Sequence, residues 1–217
     1  MTVVGLTLAQ ELERHYPTIK EELLLLLSRE NAQKEFVEYQ GDGVNSDKSL
    51  MTNRKGKWDV FYFWQQFQPM PSNASLCPKT FAILDQLKEE GLLLSGMVCF
   101  SSLMPGSRIV PHTGPSNMRL TCHLGLIGCD QVEITAGRDS HHFQEGKCLI
   151  FDDSFLHEVQ HRGHNQRVTL MLDLWHPAMN PLEISIFSRV MSASSTFMHP
   201  DEFFHSLKLV DLKKKPF

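Results

Sequence analysis

The feature that most constrains the fold is a series of short strand-like segments between residues 95 and 175. Each segment is rich in β-branched, aromatic or other apolar residues, and turns containing glycine or proline separate them. No helical pattern intervenes, so the spacing predicts a sandwich or barrel and not a parallel sheet built from βαβ units. The predicted strands cover residues 95–103, 108–110, 119–127, 131–135, 147–151, 156–160 and 167–175.

The segment before these strands has a different pattern. Residues 7–36 are predicted to be helical, and Pro17 is predicted to end one helix and begin the next, because proline is tolerated in a first turn but not within a helix. Residues 58–67 are dense in aromatic residues and predict a strand, whereas residues 79–90 predict a helix. The N-terminal helical prediction rests on apolar residues that recur at steps of three and four: Leu8, Leu12, Tyr16, Ile19, Leu23 and Leu26.

Composition narrows the class of protein. The chain has 217 residues, of which 41% are hydrophobic and 21% charged, so it is long enough for one domain with a substantial core. A formal net charge of −4 leaves no basic excess to neutralise phosphates, which argues against nucleic acid as a partner.

The cysteines and the apolar runs bear on the compartment. Five cysteines without a CxxC spacing are typical of reduced thiols. The longest apolar run, residues 23–27, is too short to span a bilayer. With no basic leader at the N-terminus, the protein is predicted to be cytoplasmic.

Two histidines and one arginine stand out within the strand region. His112 lies in Pro-His-Thr-Gly-Pro, His157 lies in Phe-Asp-Asp-Ser-Phe-Leu-His-Glu-Val, and Arg167 begins the last predicted strand. Taken singly, they would be a surface histidine, a buried core histidine and a surface cation. Taken together, two neutral imidazoles on separate strands suit a ferrous ion, and a nearby arginine can hold a dicarboxylate by two parallel hydrogen bonds. The three residues therefore predict a non-haem iron site that uses 2-oxoglutarate and O2.

Two of the predicted strands alternate polar and apolar side chains. In a barrel with a ligand mouth, such a polar face points inward, whereas in a half-solvated sheet it faces water, and the pattern alone leaves both possibilities open. The polar faces consist of Arg119, Thr121 and His123 in one strand and of Arg167, Thr169, Met171 and Asp173 in the other. The histidines in polar loops are assigned to solvent: His141, His142, His161 and His164.

Residues 57–177 resemble the catalytic domain of the aspartyl/asparaginyl β-hydroxylase family. The resemblance covers more than half of the chain in collinear order, and it includes neither the first 40 or so residues nor the last 40. The combination of motifs is specific, although a single His-x-Gly would not be. The matching pieces are FWQQ (63–66), PKTF (78–81), MPGSR (104–108), PHTGPSN (111–117), HLGL (123–126), EGKCLIFDDSFLHEV (145–159) and DLWHP (173–177).

The resemblance implies both a fold and a site. The fold is mainly β, a double-stranded β-helix or jelly roll with N-terminal helices packed on it. It forms a single oxygenase domain over residues 1–217, with a helical extension at 1–40 and a catalytic core at 57–177. His112 and His157 are the implied metal ligands and catalytic residues. The other implied site residues are Trp64, Ser101, Thr121, His123 and Arg167 for 2-oxoglutarate and Gln66 and Arg119 for the substrate.

The residue two positions after His112 is a glycine, where many iron oxygenases carry a metal-binding carboxylate. The family resembled shares this glycine, so Gly114 implies an additional open position on the metal and room for a halide ligand. Asp152 or Asp153, which are close to His157 in sequence, could supply a carboxylate. The alternative for these two aspartates is to support the metal ligands or to form a turn.

One position departs from the pattern of the better-known animal members. They carry Arg-Leu-Arg where this chain has residues 119–121, and the second arginine stands two residues before the histidine that corresponds to His123. This chain keeps the first arginine as Arg119 and has Thr121 at the second position, and threonine offers only a hydroxyl.

The activity that the resemblance implies is hydroxylation of an unactivated C–H bond in an aspartyl or asparaginyl residue, or in a related amino acid or small metabolite. Halogenation or desaturation at the same site, and a non-catalytic binding module with the same fold, remain as alternatives. The polar loop at residues 41–57 is predicted to shape the pocket entrance.

Overall fold

The computed structural model describes residues 3–39 and 56–197, with side chains described for residues 5–39 and 56–190. The predicted loop at 41–57 therefore lies almost entirely outside the described residues. The helices are α1 (Val3–Leu27), α2 (Ala32–Glu35), α3 (Pro71–Leu76), α4 (Pro78–Glu89) and α5 (Pro181–Phe197). The strands are β1 (Val37–Glu38), β2 (Trp58–Gln65), β3 (Gln68–Pro69), β4 (Leu94–Leu103), β5 (Arg108–His112), β6 (Arg119–Ile127), β7 (Val132–Ala136), β8 (Asp139–His142), β9 (Cys148–Phe151), β10 (His157–His161) and β11 (Arg167–Trp175).

The N-terminal helix α1 runs without interruption through Pro17, so the prediction that this proline separates two helices is wrong. A proline within a helix removes one hydrogen bond and costs about 3 kcal/mol. Burial of one leucine or isoleucine side chain contributes about 1.5–3 kcal/mol, and several such side chains on both sides of Pro17 offset the cost. At most 1% of the surface of each is exposed: Leu8, Leu12, Ile19, Leu23 and Leu26.

The strands form two antiparallel sheets. The larger sheet has seven strands in the order β1-β2-β4-β11-β6-β9, with β3 paired to β2, and the smaller has four in the order β5-β10-β7-β8. All seven strands predicted between residues 95 and 175 are present, with ends that move by at most two residues. The strand β8 and the helices α3 and α5 were not predicted. This architecture confirms the predicted mainly β jelly roll with an N-terminal helix packed on it.

Two apolar layers hold the molecule together. The first lies between the helices and the outer face of the large sheet, where Leu12 and Leu84 meet Phe61, Phe100 and other sheet residues. The second lies between the two sheets and includes side chains from the opposite face of β2, β4 and β11 and from the small sheet, such as Val60, Ile109 and Val132. The second layer surrounds the candidate site, so the inner face of the large sheet is at once core and pocket wall.

Polar contacts fix α1 to the end of β9. The Glu13 carboxylate accepts hydrogen bonds from the backbone N–H of Cys148 (3.0 Å) and from Lys147 Nζ (2.8 Å). Two turns further along the helix, Lys20 pairs with Glu145 at 2.7 Å. Burial acts to raise the pKa of Glu13, but its hydrogen bonds to Lys147 and the Cys148 N–H outweigh burial and lower it.

Replacement of Glu13 with glutamine is expected to destabilise the protein by about 1 kcal/mol at pH 7, since a charged acceptor for a backbone N–H is lost. Because the folded-state pKa of Glu13 lies below the usual glutamate value of 4.5, this stabilisation is present above that pH and is lost as the pH falls below it. Urea unfolding at pH 7 and at about pH 3.5 measures both effects. Glu11→Gln, on an exposed face of the same helix, is the control. An equal loss for Glu13→Gln at both pH values would contradict the expectation.

Candidate metal and cosubstrate site

Two histidines face each other across the small sheet. His112 is the last residue of β5 and His157 the first of β10, and the register of the two strands places them directly opposite, with ring centroids 4.1 Å apart. In each ring Nδ1 lies close to the backbone carbonyl oxygen two residues earlier, at 2.8 Å from Val110 and 2.9 Å from Phe155. A carbonyl oxygen only accepts hydrogen bonds, so Nδ1 carries the proton and Nε2 keeps its lone pair. The two rings are therefore held in the tautomer that binds metal through Nε2.

No third side chain completes a metal-ligating cluster of His, Cys, Asp or Glu within the described parts of the chain. The space beside Gly114, where a side chain at this position would begin, is nevertheless filled. A Cβ added to this glycine would lie 2.3 Å from Oδ2 of Asp153, so the carboxylate occupies the space of the missing side chain. The Gly114 N–H also donates to the Asp153 carbonyl oxygen at 2.6 Å. The Asp153 carboxylate therefore lies on the side of Gly114 where the sequence predicts room for a halide, and halogenation stays an alternative.

The two aspartates before His157 have different roles. Asp152 accepts hydrogen bonds from the backbone N–H (2.9 Å) and the hydroxyl (2.6 Å) of Ser154, which is the turn-forming role predicted as one alternative. Asp153 is 5% exposed and faces the pocket, where its carboxylate pairs with Arg119. Asp153 therefore supports the pocket near the histidines, held in place by a cation.

Arg119 joins two buried carboxylates. Its Nη2 lies 3.1 Å from Asp153 Oδ2 and its Nη1 lies 2.5 Å from Asp173 Oδ2. Both aspartates are at most 5% exposed, so the positive charge of the guanidinium is the counter-charge that their burial requires. This arrangement places the predicted substrate residue Arg119 in the pocket wall, already engaged with two anions.

Arg167 has the opposite environment. Its side chain is 1% exposed, its Nη1 donates to Thr169 Oγ1 at 2.9 Å, and its guanidinium lies over the Phe143 ring at 5.0 Å. Its buried Nε has no hydrogen-bond partner, and no carboxylate of the described residues pairs with it. Burial lowers the pKa of Arg167 to about 10, which leaves it charged at neutral pH. A buried cation without a counter-ion is costly, so this side chain has the properties of a binding group for an anionic ligand.

Thr169 connects Arg167 to a third histidine. Its hydroxyl accepts from Arg167 and lies 2.9 Å from Nδ1 of His123, which is buried. Burial, with the charges of Arg167 and His157 in addition, lowers the pKa of His123 well below its usual value. The imidazole is therefore neutral at physiological pH and can orient a ligand by hydrogen bonding without adding charge.

Ser101 and Thr121 both line this pocket and are buried, as the sequence predicts. The Ser101 hydroxyl accepts a hydrogen bond at 2.9 Å from the indole N–H of Trp58, which lies against Tyr39 with a centroid separation of 3.9 Å. Trp58 is thus a site residue that the sequence prediction missed. It begins β2 opposite Leu103 of β4, and only this register shows that its indole reaches the serine.

Two other predicted residues do not reach the pocket. Trp64 packs on the helix side of the sheet, where its ring stacks on Phe81 at 4.5 Å. A β-bulge between Tyr62 and Trp64 is the reason, because the extra residue moves the following side chain to the opposite face. Gln66 is exposed, with a φ of 53°, in the turn between β2 and β3. The assignments of Trp64 to the cosubstrate and Gln66 to the substrate are therefore corrected.

The polar faces of β6 and β11 point inward. Arg119, Thr121 and His123 line the pocket together with Arg167 and Met171, and β11 is buried over nearly its whole length. The half-solvated alternative is therefore wrong for both strands.

The prediction for His161 is also wrong, because this residue is 2% exposed. Its Nε2 lies 2.9 Å from the Asn165 carbonyl oxygen, and its Nδ1 accepts a hydrogen bond from the Gly163 N–H at 3.1 Å. These two contacts satisfy both ring nitrogens and hold the turn between β10 and β11. His141, His142 and His164 are exposed, as predicted.

The fold and the site define a jelly-roll protein with a pocket between its two sheets, lined by a histidine pair and by a buried arginine that pairs with no carboxylate of the described residues. Residues 13–177 match the family described as aspartyl/asparaginyl beta-hydroxylase, and the chain belongs to this family. Within the described residues, no helix is both long and apolar enough to cross a membrane.

Individual relatives cover this chain to different extents. Aspartate beta-hydroxylase domain-containing protein 2 of Xenopus tropicalis is 42% identical over 142 residues, which are 64% of this chain and 37% of that protein. Aspartyl/asparaginyl beta-hydroxylase of Mus musculus is 34% identical over 178 residues, 80% of this chain and 22% of that protein. The chain thus spans little more than a third of one relative and less than a quarter of the other. Among solved structures, a Pseudomonas putida prolyl-4-hydroxylase has a TM-score of 0.48 at 17% identity, covering 74% of this chain and 88% of that one.

Proposed function

We propose that the protein is an Fe(II)- and 2-oxoglutarate-dependent hydroxylase. Its substrate is an aspartyl or asparaginyl residue, or a related amino acid or small metabolite, with an unactivated C–H bond. One observation carries the proposal: Arg167 is buried and charged, lacks a carboxylate partner among the described residues, and lines the same pocket as His112 and His157. Membership of the hydroxylase family supports the same conclusion.

The donor set fits a ferrous ion. His112 and His157 would hold it through Nε2, the atoms that their bonds to backbone carbonyls leave with lone pairs. Bound iron supplies oxygen activation for hydroxylation, a chemistry that side chains alone do not provide. The protein's own residues fix the two imidazoles, exclude water behind the apolar layer between the sheets, and orient the cosubstrate and the target carbon.

The cosubstrate 2-oxoglutarate carries two carboxylates, and the pocket offers two groups of donors. Arg167 and Ser101 would bind the distal carboxylate, since the Trp58 indole already donates to the Ser101 oxygen and leaves the serine proton free to be donated. His123 and Thr121 would face the keto-acid end. Binding of the dianion supplies the counter-charge that Arg167 lacks, so we expect the cosubstrate to stabilise the folded protein.

Hydroxylation is favoured over halogenation by the position of one side chain. A halide bound to the metal would need the space beside Gly114, and the Asp153 carboxylate occupies it. Two negative charges in contact within a buried pocket repel each other strongly. Product mass spectrometry with and without chloride separates the two outcomes, and a chlorinated product would overturn this preference.

The proposed function is tested by anaerobic titration of the purified protein with Fe(II) and 2-oxoglutarate. A bound iron–keto-acid complex gives a weak visible charge-transfer band. Admission of oxygen should then release succinate in an amount that depends on iron. Absence of both the band and the oxygen-dependent succinate would remove the proposal and leave a binding module with the same fold.

We also propose that the protein works in a reducing compartment such as the cytoplasm. All five cysteines are free thiols, and four of them are buried. Burial raises the pKa of Cys77 to about 12 and that of Cys129 to about 11, so these thiols remain protonated and unreactive at neutral pH. Localisation of a fluorescent fusion of the full-length chain tests this proposal.

Replacement of Trp58 with phenylalanine is expected to weaken 2-oxoglutarate binding by about 3- to 10-fold, while the pocket wall keeps its aromatic ring. The indole N–H orients the Ser101 hydroxyl, and loss of one hydrogen bond of this kind costs about 0.5–1.5 kcal/mol. Titration of the charge-transfer band measures the affinity. Trp64→Phe is the matched control, because that tryptophan lies on the other face of the sheet. Equal effects of the two substitutions would contradict the assignment of Trp58.

A further inference from the structure

A second cavity adjoins the pocket. It has a volume of about 820 Å³, compared with about 60 Å³ for the pocket itself, and lies between β9 and the β7–β8 hairpin. The two cavities share the side chains of Ile134 and Phe151. We call the larger cavity the entrance cleft. Its size lies within the range of about 300–1,000 Å³ that is typical of ligand-binding cavities.

The entrance cleft runs along the edge of a strand. Five consecutive residues, 148–152, line it. Because successive side chains of a strand point to opposite faces, a cavity lined by consecutive residues follows the strand edge and not one face. β9 is the last strand of the large sheet: one side pairs with β6, and no other described strand pairs with the side that faces the cleft.

The register between β6 and β9 shows which backbone groups face the cleft. The Gly125 N–H donates to the Lys147 carbonyl oxygen, so the hydrogen-bonded pairs in this antiparallel ladder fall at Lys147, Leu149 and Phe151. The residues between them turn their N–H and C=O groups away from β6. Those residues are Cys148 and Ile150.

The helix α1 covers one of these two positions and leaves the other open. The Cys148 N–H is bonded to the Glu13 carboxylate at 3.0 Å, which also confirms that it points away from β6. The outward N–H and C=O of Ile150 have no hydrogen-bond partner in the described part of the chain. Next to them the side chain of Phe155, which is 61% exposed, forms an apolar lip of the cleft.

We propose that the entrance cleft binds an extended polypeptide, which adds to β9 as a further strand by pairing with the N–H and C=O of Ile150. A donor and an acceptor on one residue of a strand edge match the backbone of an extended peptide. Arg138 and Asp139 carry opposite charges side by side in the cleft wall, so neither sign of charge is selected. Recognition therefore acts through the peptide backbone and the apolar contact with Phe155.

Docking of a peptide at β9 adds a class of substrate to the proposed function. It rests on the proposed function in one respect: the docked segment carries the side chain that is oxidised. Side chains on the inner face of the added strand would lie beside Phe151. The ring of Phe151 lies 5.2 Å from that of His157, centroid to centroid. A peptidyl substrate is thus favoured over a free amino acid, whose short backbone cannot form the strand pair.

The test measures backbone protection and needs no turnover. The full-length protein is mixed with acetylated, amidated nonapeptides that are random except for a central asparagine. Amide hydrogen exchange is then followed residue by residue by NMR. The Ile150 amide is expected to exchange at least about tenfold more slowly with peptide, while Leu149 and Phe151, already bonded to β6, serve as internal references. Peptides N-methylated along the backbone keep their side chains and should give no protection.

Two substitutions and the dependence of protection on protein concentration provide further tests. Phe155→Ala is expected to weaken peptide binding at least threefold, whereas Leu25→Ala, equally exposed on α1 at 62%, leaves it unchanged. Unchanged exchange at Ile150 with saturating peptide, or equal binding of the N-methylated peptides, would overturn the inference. Protection that rises with protein concentration alone would show that a second copy of the chain occupies the edge and would also overturn it.

Separate measurement of iron-dependent succinate release keeps this inference distinct from the proposed function. Protection of Ile150 without any turnover would leave the docking site standing and remove the hydroxylase proposal. Turnover of free asparagine without protection of Ile150 by peptides would support the hydroxylase proposal and remove the docking site.

Discussion

Replacement of Arg167 with methionine is expected to weaken 2-oxoglutarate binding by about 150- to 5,000-fold. Removal of one partner from a buried charged pair costs about 3–5 kcal/mol, because the remaining carboxylate is left without its counter-charge. Methionine nearly matches the length of the arginine stem and can keep its contact with Phe143. Titration of the visible band, or isothermal calorimetry without iron, measures the change in affinity.

The same substitution should stabilise the ligand-free protein by about 1–3 kcal/mol, which raises the Tm by roughly 2–10 °C. Burial lowers the pKa of Arg167 from the usual arginine range to about 10, a difference that corresponds to about 3 kcal/mol against the charged form. The folded state holds this proton less tightly than the unfolded state. The penalty is therefore fully present at neutral pH and disappears only as the pH rises above about 10.

Thermal unfolding with and without 2-oxoglutarate separates the two effects. The wild-type protein should gain stability from the dianion, and the methionine variant should start higher and gain nothing. Arg108→Met is the control, since that arginine is exposed and pairs with Glu158 on the outer strands. A variant that loses stability without ligand, or that binds 2-oxoglutarate normally, would show that Arg167 has a structural role.

Replacement of His157 with alanine is expected to abolish the charge-transfer band and to lower iron-dependent succinate release by at least about 100-fold. Substitution of residues that merely support a metal ligand already costs 10- to 100-fold, and His157 is one of only two protein ligands proposed. Anaerobic iron titration and a succinate assay measure the two losses. The expectation for His112→Ala is the same.

His164→Ala is the matched control for both variants, because His164 is an exposed histidine in the turn between β10 and β11, outside both cavities. Far-ultraviolet circular dichroism should show that each variant keeps the fold. A His157 variant that retains the iron-dependent band would place the metal elsewhere and would remove the two-histidine assignment.

The positions of the strands and the two candidate histidines could be predicted from local sequence, because each follows from residue types within a short stretch of the chain. Alternation of polar and apolar side chains in β6 and β11 indicated the faces that the structure confirms. His112 lies two residues beyond the predicted strand 108–110, and His157 is the second residue of the predicted strand 156–160. The two residues are opposite each other only because β5 and β10 pair in one register, which a single sequence does not encode explicitly.

Long-range geometry explains the predictions that were wrong. The β-bulge after Tyr62 moves Trp64 to the helix side, and Trp58 contacts Ser101 instead. Pro17 remains within α1 because burial of the leucines on either side outweighs one lost hydrogen bond. His161 appeared to be a loop histidine, yet the turn between β10 and β11 folds over it and satisfies both nitrogens.

The sequence by itself determined the strand positions, the family and the residues that could bind iron and a dicarboxylate, since these follow from residue type and short spacing. Only the tertiary structure decided that Asp153 fills the space beside Gly114. Among the residues that the structure describes, it also decided that Arg119 pairs with carboxylates and Arg167 does not, and that one edge of β9 is open. Residue type fixes which charges a chain contains. Strand register and packing fix which of those charges find a partner, and an unpaired buried charge is what a ligand recognises.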